Sequence, residues 1–183
     1  NCGNGTATVQ GGQISLNGTL LGSSVAYGPG HSLEFKATYI AGNPYQAVGF
    51  WKYFSSPWRA LDLGSGGNAL QAGTSLGSSV TISTNPIGSP HRYRIDWTSS
   101  GLTFWVDGTQ VATAPSTLGG ETMNVVLADY ACNASDTQNL RVDWVRIDFT
   151  HVTLTLGEPE PIDFAPGQVV HEICVAANTA SRF

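Results

Sequence analysis

The run from His91 to Gly108, HRYRIDWTSSGLTFWVDG, constrains the fold more than any other stretch of the chain. Tyr93, Ile95 and Trp97 alternate with Arg92, Arg94 and Asp96. After a Thr-Ser-Ser-Gly turn, Leu102, Phe104 and Val106 alternate with Thr103, Trp105 and Asp107. A period of two is the signature of strands with one face buried, since successive side chains point to opposite sides of a pleated strand. Asp107-Gly108 supplies a second reversal, because glycine tolerates the positive φ of a tight turn, and Gln110 to Thr113 supplies a third extended run. The segment predicts a three-strand meander with Tyr93, Ile95, Trp97, Phe104 and Val106 in or bordering a core.

The rest of the chain repeats this pattern in short pieces. Ala7 to Val9, Gln13 to Leu16 and Leu20 to Leu21 are extended runs broken by Gly-Gly and Asn-Gly turns. Ser32 to Ile40 places Leu33, Phe35, Ala37 and Tyr39 on one face, and Ala41-Gly42-Asn43-Pro44 is expected to fold it into a hairpin with Tyr45 to Tyr53. Arg59 to Leu63, Ala69 to Ala72, Ser79 to Ser83, Met123 to Ala131 and Leu140 to Phe149 read as further strands. No window of helical length carries apolar residues at i, i+3, i+4 and i+7. The fold class expected is all-β, a two-sheet antiparallel β-sandwich, over residues 1–156. Gly157-Glu158-Pro159-Glu160-Pro161 then opens a Pro-containing linker and C-terminal tail, residues 157–183, which either packs back through Val169, Val170, Ile173 and Val175 or leads into another module of a larger chain.

With 183 residues the chain is long enough for one sandwich and too short for two ordinary domains. Eight Lys and Arg stand against 13 Asp and Glu without any basic cluster, which excludes nucleic acid as a partner because phosphates demand a basic footprint. No apolar run reaches the ~20 residues of a membrane span, and no signal peptide is seen at Asn1, so the chain reads as a mature or excised segment. The low charged fraction, 11%, leaves Ser, Thr, Asn and Gly to cover the surface, as suits a secreted or cell-surface protein. Cys2, Cys132 and Cys174 lack thiolate-metal spacing and read as one disulfide plus a spare thiol, with the pairing open.

Tyr27-Gly28-Pro29-Gly30, SLEFKATY, AVGFW, the DW–turn–FWVDG meander and the closing LRVDWVRIDF together resemble the laminarinase and lichenase group, glycoside hydrolase family 16, whose fold is a concanavalin-like jelly roll. The resemblance implies a glycan cleft whose catalytic strand carries Glu-x-Asp-x-Glu, three carboxyls sharing one strand face. The segment at the matching position is Ala60-Leu61-Asp62-Leu63-Gly64, so Ala60 and Gly64 stand where the nucleophile and acid/base would be and Asp62 alone remains. No Glu occurs between Glu34 and Glu121, so a shifted frame does not restore the motif. Asp62 reads more readily as a strand-end carboxylate bonded to a nearby Ser or backbone amide than as a catalytic relic.

Aromatic side chains carry the functional expectation, since the apolar C–H faces of sugars stack on Trp and Tyr. The resemblance places Tyr45, Trp51, Tyr53, Trp58 and Trp105 on or beside the cleft strands, and Trp97 and Trp144 in the core. It also implies a structural Ca2+ held by Asp143 and a backbone carbonyl near Gly12, the alternative being that Asp143 faces solvent or pairs with Arg141 or Arg146. The sequence is thus expected to encode a non-catalytic extracellular carbohydrate-binding or surface-attachment module whose partner is a polysaccharide or glycan. The rival is an active carbohydrate enzyme, a hydrolase or lyase, with a different constellation that could draw on His31, His91 or His151.

Overall fold

In a computed structural model of the chain, the described residues are 5–52, 55–75, 77, 79–115, 121–131 and 139–149. Thirteen strands occur among them: β1 (Thr6–Gln10), β2 (Gln13–Asn17), β3 (Thr19–Tyr27), β4 (His31–Thr38), β5 (Gln46–Lys52), β6 (Ser55–Asp62), β7 (Gln71–Thr74), β8 (Val80–Thr81), β9 (His91–Trp97), β10 (Gly101–Val106), β11 (Thr109–Pro115), β12 (Met123–Asp129) and β13 (Leu140–Phe149). They form a seven-stranded sheet, β1-β2-β13-β4-β9-β10-β11, and a six-stranded sheet, β3-β12-β5-β6-β7-β8. Every strand pairing within these sheets is antiparallel, and no described residue is helical. The fold is the two-sheet jelly roll expected. The expected boundary at residue 157 and all three cysteines lie outside the described residues.

The meander is β9, β10 and β11, and its inward residues Tyr93, Ile95, Trp97, Phe104 and Val106 are all buried. Asp107 adopts φ +48° and is pinned there by its own carboxylate, which accepts the Arg92 backbone N–H at 2.9 Å and meets His91 Nδ1 at 2.6 Å. From the facing sheet Val48, Phe50 and Leu61 complete the core, with Phe50 against Trp97 at a ring separation of 5.2 Å. Arg59 also points into this interior. It is 1% exposed, its guanidinium lies 4.4 Å from the Trp97 ring centroid, and Nη1 reaches Met123 Sδ at 3.4 Å.

Two expectations fail here for identifiable reasons. β4 and β5 do not form a hairpin: β4 pairs with β9 and β13, whereas β5 pairs with β12 and β6. Both strands turn an apolar face inward, so the four residues after Ile40 carry the chain from one sheet to the other. Trp144 is not in the core but 39% exposed. A bulge between Val142 and Trp144 inserts Asp143 and inverts the alternation, so that Trp144 lies opposite Lys36 while Val145 and Ile147 lie opposite the core residues Phe35 and Leu33.

A buried cation without a carboxylate contact contributes shape more than charge. Burial lowers the Arg59 pKa, with the Glu121 charge opposing. Arg59→Met should therefore unfold at a temperature equal to or above that of the parent, while Arg59→Ala should lose about 3 kcal/mol through the cavity it leaves. Equal destabilisation by both substitutions in denaturant titrations would show that the guanidinium itself is required.

Candidate functional site

The outer face of the six-stranded sheet holds a cavity of about 550 Å3 lined by Tyr45, Ala47, Trp51, Ser56, Trp58, Ala60, Asp62, Gly64, Ser65, Gln71, Ser79 and Tyr130. Its floor follows from strand alternation. Ala47, Gly49 and Trp51 of β5 lie opposite Asp62, Ala60 and Trp58 of β6, so the two tryptophans are a cross-strand pair and Asp62 lies across from Ala47. A Cβ on Gly49 would stand 2.1 Å from the Arg59 carbonyl oxygen, so only glycine allows β5 and β6 to approach this closely. Ala47, Trp51, Ala60, Val126 and Ala128 form a second apolar cluster, separate from the main core, with Leu20, Trp58 and Tyr130 packed on it.

Tyr45 and Tyr130 form one wall. Tyr45 is 49% exposed and adopts φ +63°, a conformation costly for a side chain of its size. It is held by its N–H donating to the Gly64 carbonyl at 3.0 Å and its carbonyl accepting from the Tyr130 N–H at 3.3 Å. The buried Asp129 carboxylate anchors the same corner by accepting from Asn43 Nδ2, the Ala131 N–H and the Leu140 N–H. Trp51 stands 5.7 Å from Tyr130, and its buried indole N–H has no hydrogen-bond partner among the described residues.

Ala60, Asp62 and Gly64 all line the cavity, as the positions of a three-carboxyl motif would, and among the described residues Asp62 is the one carboxylate lining it. Asp62 Oδ1 accepts the Gly64 N–H at 2.6 Å, while the buried Oδ2 has no partner among the described residues. Burial pushes the Asp62 pKa up from 3.8 to about 6, against the lowering effect of the Gly64 bond. Gly64 lies beyond the end of β6 at φ +55°, and a Cβ there would press on the Gln71 side chain at 3.3 Å. The backbone at this position is suited to glycine rather than to a catalytic glutamate.

The cavity brings together Tyr45, Trp51, Trp58 and Asp62 of the residues singled out in the sequence, and adds Tyr130. Tyr130 continues the outward face of β12 through Val126 and Ala128, a signal visible only once the register of that strand is known. Tyr53 and His151 lie outside the described residues. Trp105 does not reach the cavity. It is on β10 of the seven-stranded sheet, its Nε1 donates to Asp96 Oδ2 at 2.7 Å, and Arg94 lies 4.5 Å over its ring. His31 and His91 open β4 and β9 of that same sheet and do not line the cavity either.

Asp143, which the resemblance joins with Gly12 in a Ca2+ position, has two side-chain partners in the structure. One Asp143 oxygen is 2.8 Å from Lys36 Nζ and the other accepts from Gln13 Nε2. Calcium takes six to eight oxygen ligands, so an ion at Asp143 would have to displace the Lys36 ammonium and draw on backbone carbonyls beside this one carboxylate. No group of three or more His, Cys, Asp or Glu side chains is placed to hold an ion among the described residues.

Comparison with known proteins bears on the fold and on part of the sequence. Residues 65–146 match the family model for glycosyl hydrolases family 16. A pseudo β-1,3-glucanase and immunostimulatory antigen of Mycobacterium tuberculosis superposes with a TM-score of 0.54 at 20% identity, over 76% of this chain and 75% of that one. The Bacillus licheniformis β-glucanase gives 0.52 at 18% identity over 76% and 78%, and a β-agarase A solved with oligoagarose gives 0.55 at 16% over 77% and 74%. No curated protein sequence matches. The chain is a two-sheet jelly-roll domain whose residues 65–146 are similar to glycosyl hydrolases family 16.

Two outcomes follow. The folded state binds the Asp62 proton more tightly than the unfolded chain does, so stability should fall as pH rises from 3.8 to about 6. Asp62→Asn should flatten that slope and raise stability at pH 7.5 by up to about 3 kcal/mol. An unaltered pH profile in the variant would refute the assignment. Separately, EDTA should leave the melting midpoint unchanged, since Lys36 already balances Asp143; a drop of several degrees would mean that an ion replaces Lys36 there.

Proposed function

We propose that this domain is a non-catalytic carbohydrate-binding or surface-attachment module that acts outside the cell, on a polysaccharide or glycan. The observation that carries the reading is the composition of the cavity among the described residues: four aromatic side chains around a floor of small residues, with a single carboxylate. Aromatic rings at a sheet surface offer stacking platforms for sugar rings. Glycoside hydrolysis instead needs two carboxyl groups, about 5–5.5 Å apart for retention or 6.5–9.5 Å for inversion. Ala60 and Gly64 supply neither, and no other carboxylate lines the cavity among the described residues.

The rival, a carbohydrate enzyme with another constellation, draws its support from Asp62, whose raised pKa suits a proton donor near neutral pH. With no histidine of the described residues beside it, Asp62 would act without a partner.

Incubated with laminarin, lichenin and agarose, the purified chain should bind at least one glycan and release no new reducing ends. Trp58→Ala should weaken binding by about 1 kcal/mol or more, whereas Trp105→Ala should leave affinity unchanged. Sustained release of reducing ends that Asp62→Ala abolishes would overturn the non-catalytic reading in favour of its rival.

A further inference from the structure

Of the eight basic side chains, the seven among the described residues are distributed unevenly over the fold. Lys36, Arg92, Arg94, Arg141 and Arg146 all lie on strands of the seven-stranded sheet. Four of them meet carboxylates there: Lys36 with Asp143, Arg92 with Glu34, Arg94 with Asp96, and Arg146 with Glu34 and Asp148. Arg59 faces the interior, and Lys52 pairs with Glu121 at 3.2 Å. None of these seven lines the cavity on the six-stranded sheet. Arg182 is the one Lys or Arg outside the described residues. The cavity thus holds a carboxylate whose single observed bond is to a neutral backbone amide.

We infer that the cavity sorts glycans by charge: it prefers an amine-bearing saccharide, whose ammonium sits against Asp62, to a neutral one, and it refuses uronate and sulfated chains. The inference rests on the glycan-binding reading and adds the substrate class. A ligand carboxylate or sulfate brought into a low-dielectric cavity where no described residue offers a cation would lose its hydration and face repulsion from Asp62. An ammonium would instead form a charge-assisted bond to a carboxylate that has no cationic partner among the described residues. The other groups facing Asp62 do not compete: Ala47 on β5, Gln71 on β7, and the phenols of Tyr45 and Tyr130. Beneath it, Tyr39 donates to the Leu61 carbonyl, and burial raises its pKa well above the ordinary value. Asp62, with a pKa of about 6, is therefore the group that sets the charge of the cavity near neutral pH.

The test is calorimetric titration of the whole chain at pH 6.5 with four oligosaccharides of equal length: deacetylated chitosan, N-acetylated chitin, laminarin and polygalacturonate. The expected order is chitosan about tenfold tighter than chitin or laminarin, as a charge-assisted bond implies, with no binding of galacturonate. Asp62→Asn should make chitosan and chitin equal, and the preference should also vanish at pH 4.5, where Asp62 is protonated. Galacturonate binding as tightly as laminarin would overturn the inference, as would an amine preference that survives in Asp62→Asn, which would trace it to the general acidity of the surface. Neutral binding without any charge preference would sink this inference and leave the glycan reading standing, whereas no binding of any of the four would sink both.

Discussion

Strands β5 and β6 are apolar on both faces, and the site depends on that fact. Val48, Phe50 and Leu61 face the opposing sheet, while Ala47, Trp51, Trp58 and Ala60 face outward. A sheet covered on one side by another normally shows clean alternation between apolar and polar residues. Here the outward positions carry a second buried cluster, with Leu20, Trp58 and Tyr130 packed against it. The glycine at position 49 makes the arrangement possible by letting the two strands come close where a side chain would collide with backbone. Tyr45, in a backbone conformation that a tyrosine rarely adopts, is tied at one end to the turn after β6 and at the other to Tyr130. Strain of that kind persists only where the surroundings enforce it, and here they place an aromatic ring at the rim of the cavity.

The meander was legible from the sequence because its alternation is uninterrupted and its turn residues are unambiguous; all five residues assigned to its core are buried. Legibility ended where local pattern and long-range pairing diverge. The turn residues at 41–44 look the same whether the chain reverses within a sheet or crosses to the other, so the supposed β4–β5 hairpin was a crossover. A bulge at Asp143 reversed the facing of Trp144, which nothing in the run Val142-Asp143-Trp144 announces. Trp105 was assigned to the cleft by resemblance, yet strand parity with Phe104 and Val106 in the core sends it to the outer face of the opposite sheet, where Arg94 and Asp96 engage it.

Within the candidate site, the residues found from sequence were those whose position along a strand could be counted from a motif. Trp51 and Trp58 became a pair through the β5–β6 register, and Asp62 accepts a backbone N–H two residues on, as its strand-end position suggested. Tyr130 was missed because its membership depends on how β12 sits beside β5. The partner of Asp143 was missed for a similar reason: Lys36 lies more than a hundred residues away in sequence and meets it only through the β13–β4 pairing. Ion pairs are thus concentrated on the seven-stranded sheet, whereas the cavity on the other sheet sets aromatic rings around the one carboxylate that lines it among the described residues.

The central claim is that the cavity between Tyr45, the two paired tryptophans and Tyr130 is where a saccharide sits. The chain has five tryptophans, so five indole N–H resonances report on it, with Trp51 and Trp58 in the cavity and Trp97, Trp105 and Trp144 elsewhere. Titration with a bound oligosaccharide should move the Trp51 and Trp58 signals together, with one saturation curve, and leave the other three in place. Movement of Trp105 or Trp144 with Trp51 and Trp58 unaffected would contradict the account and put the ligand on the opposite sheet.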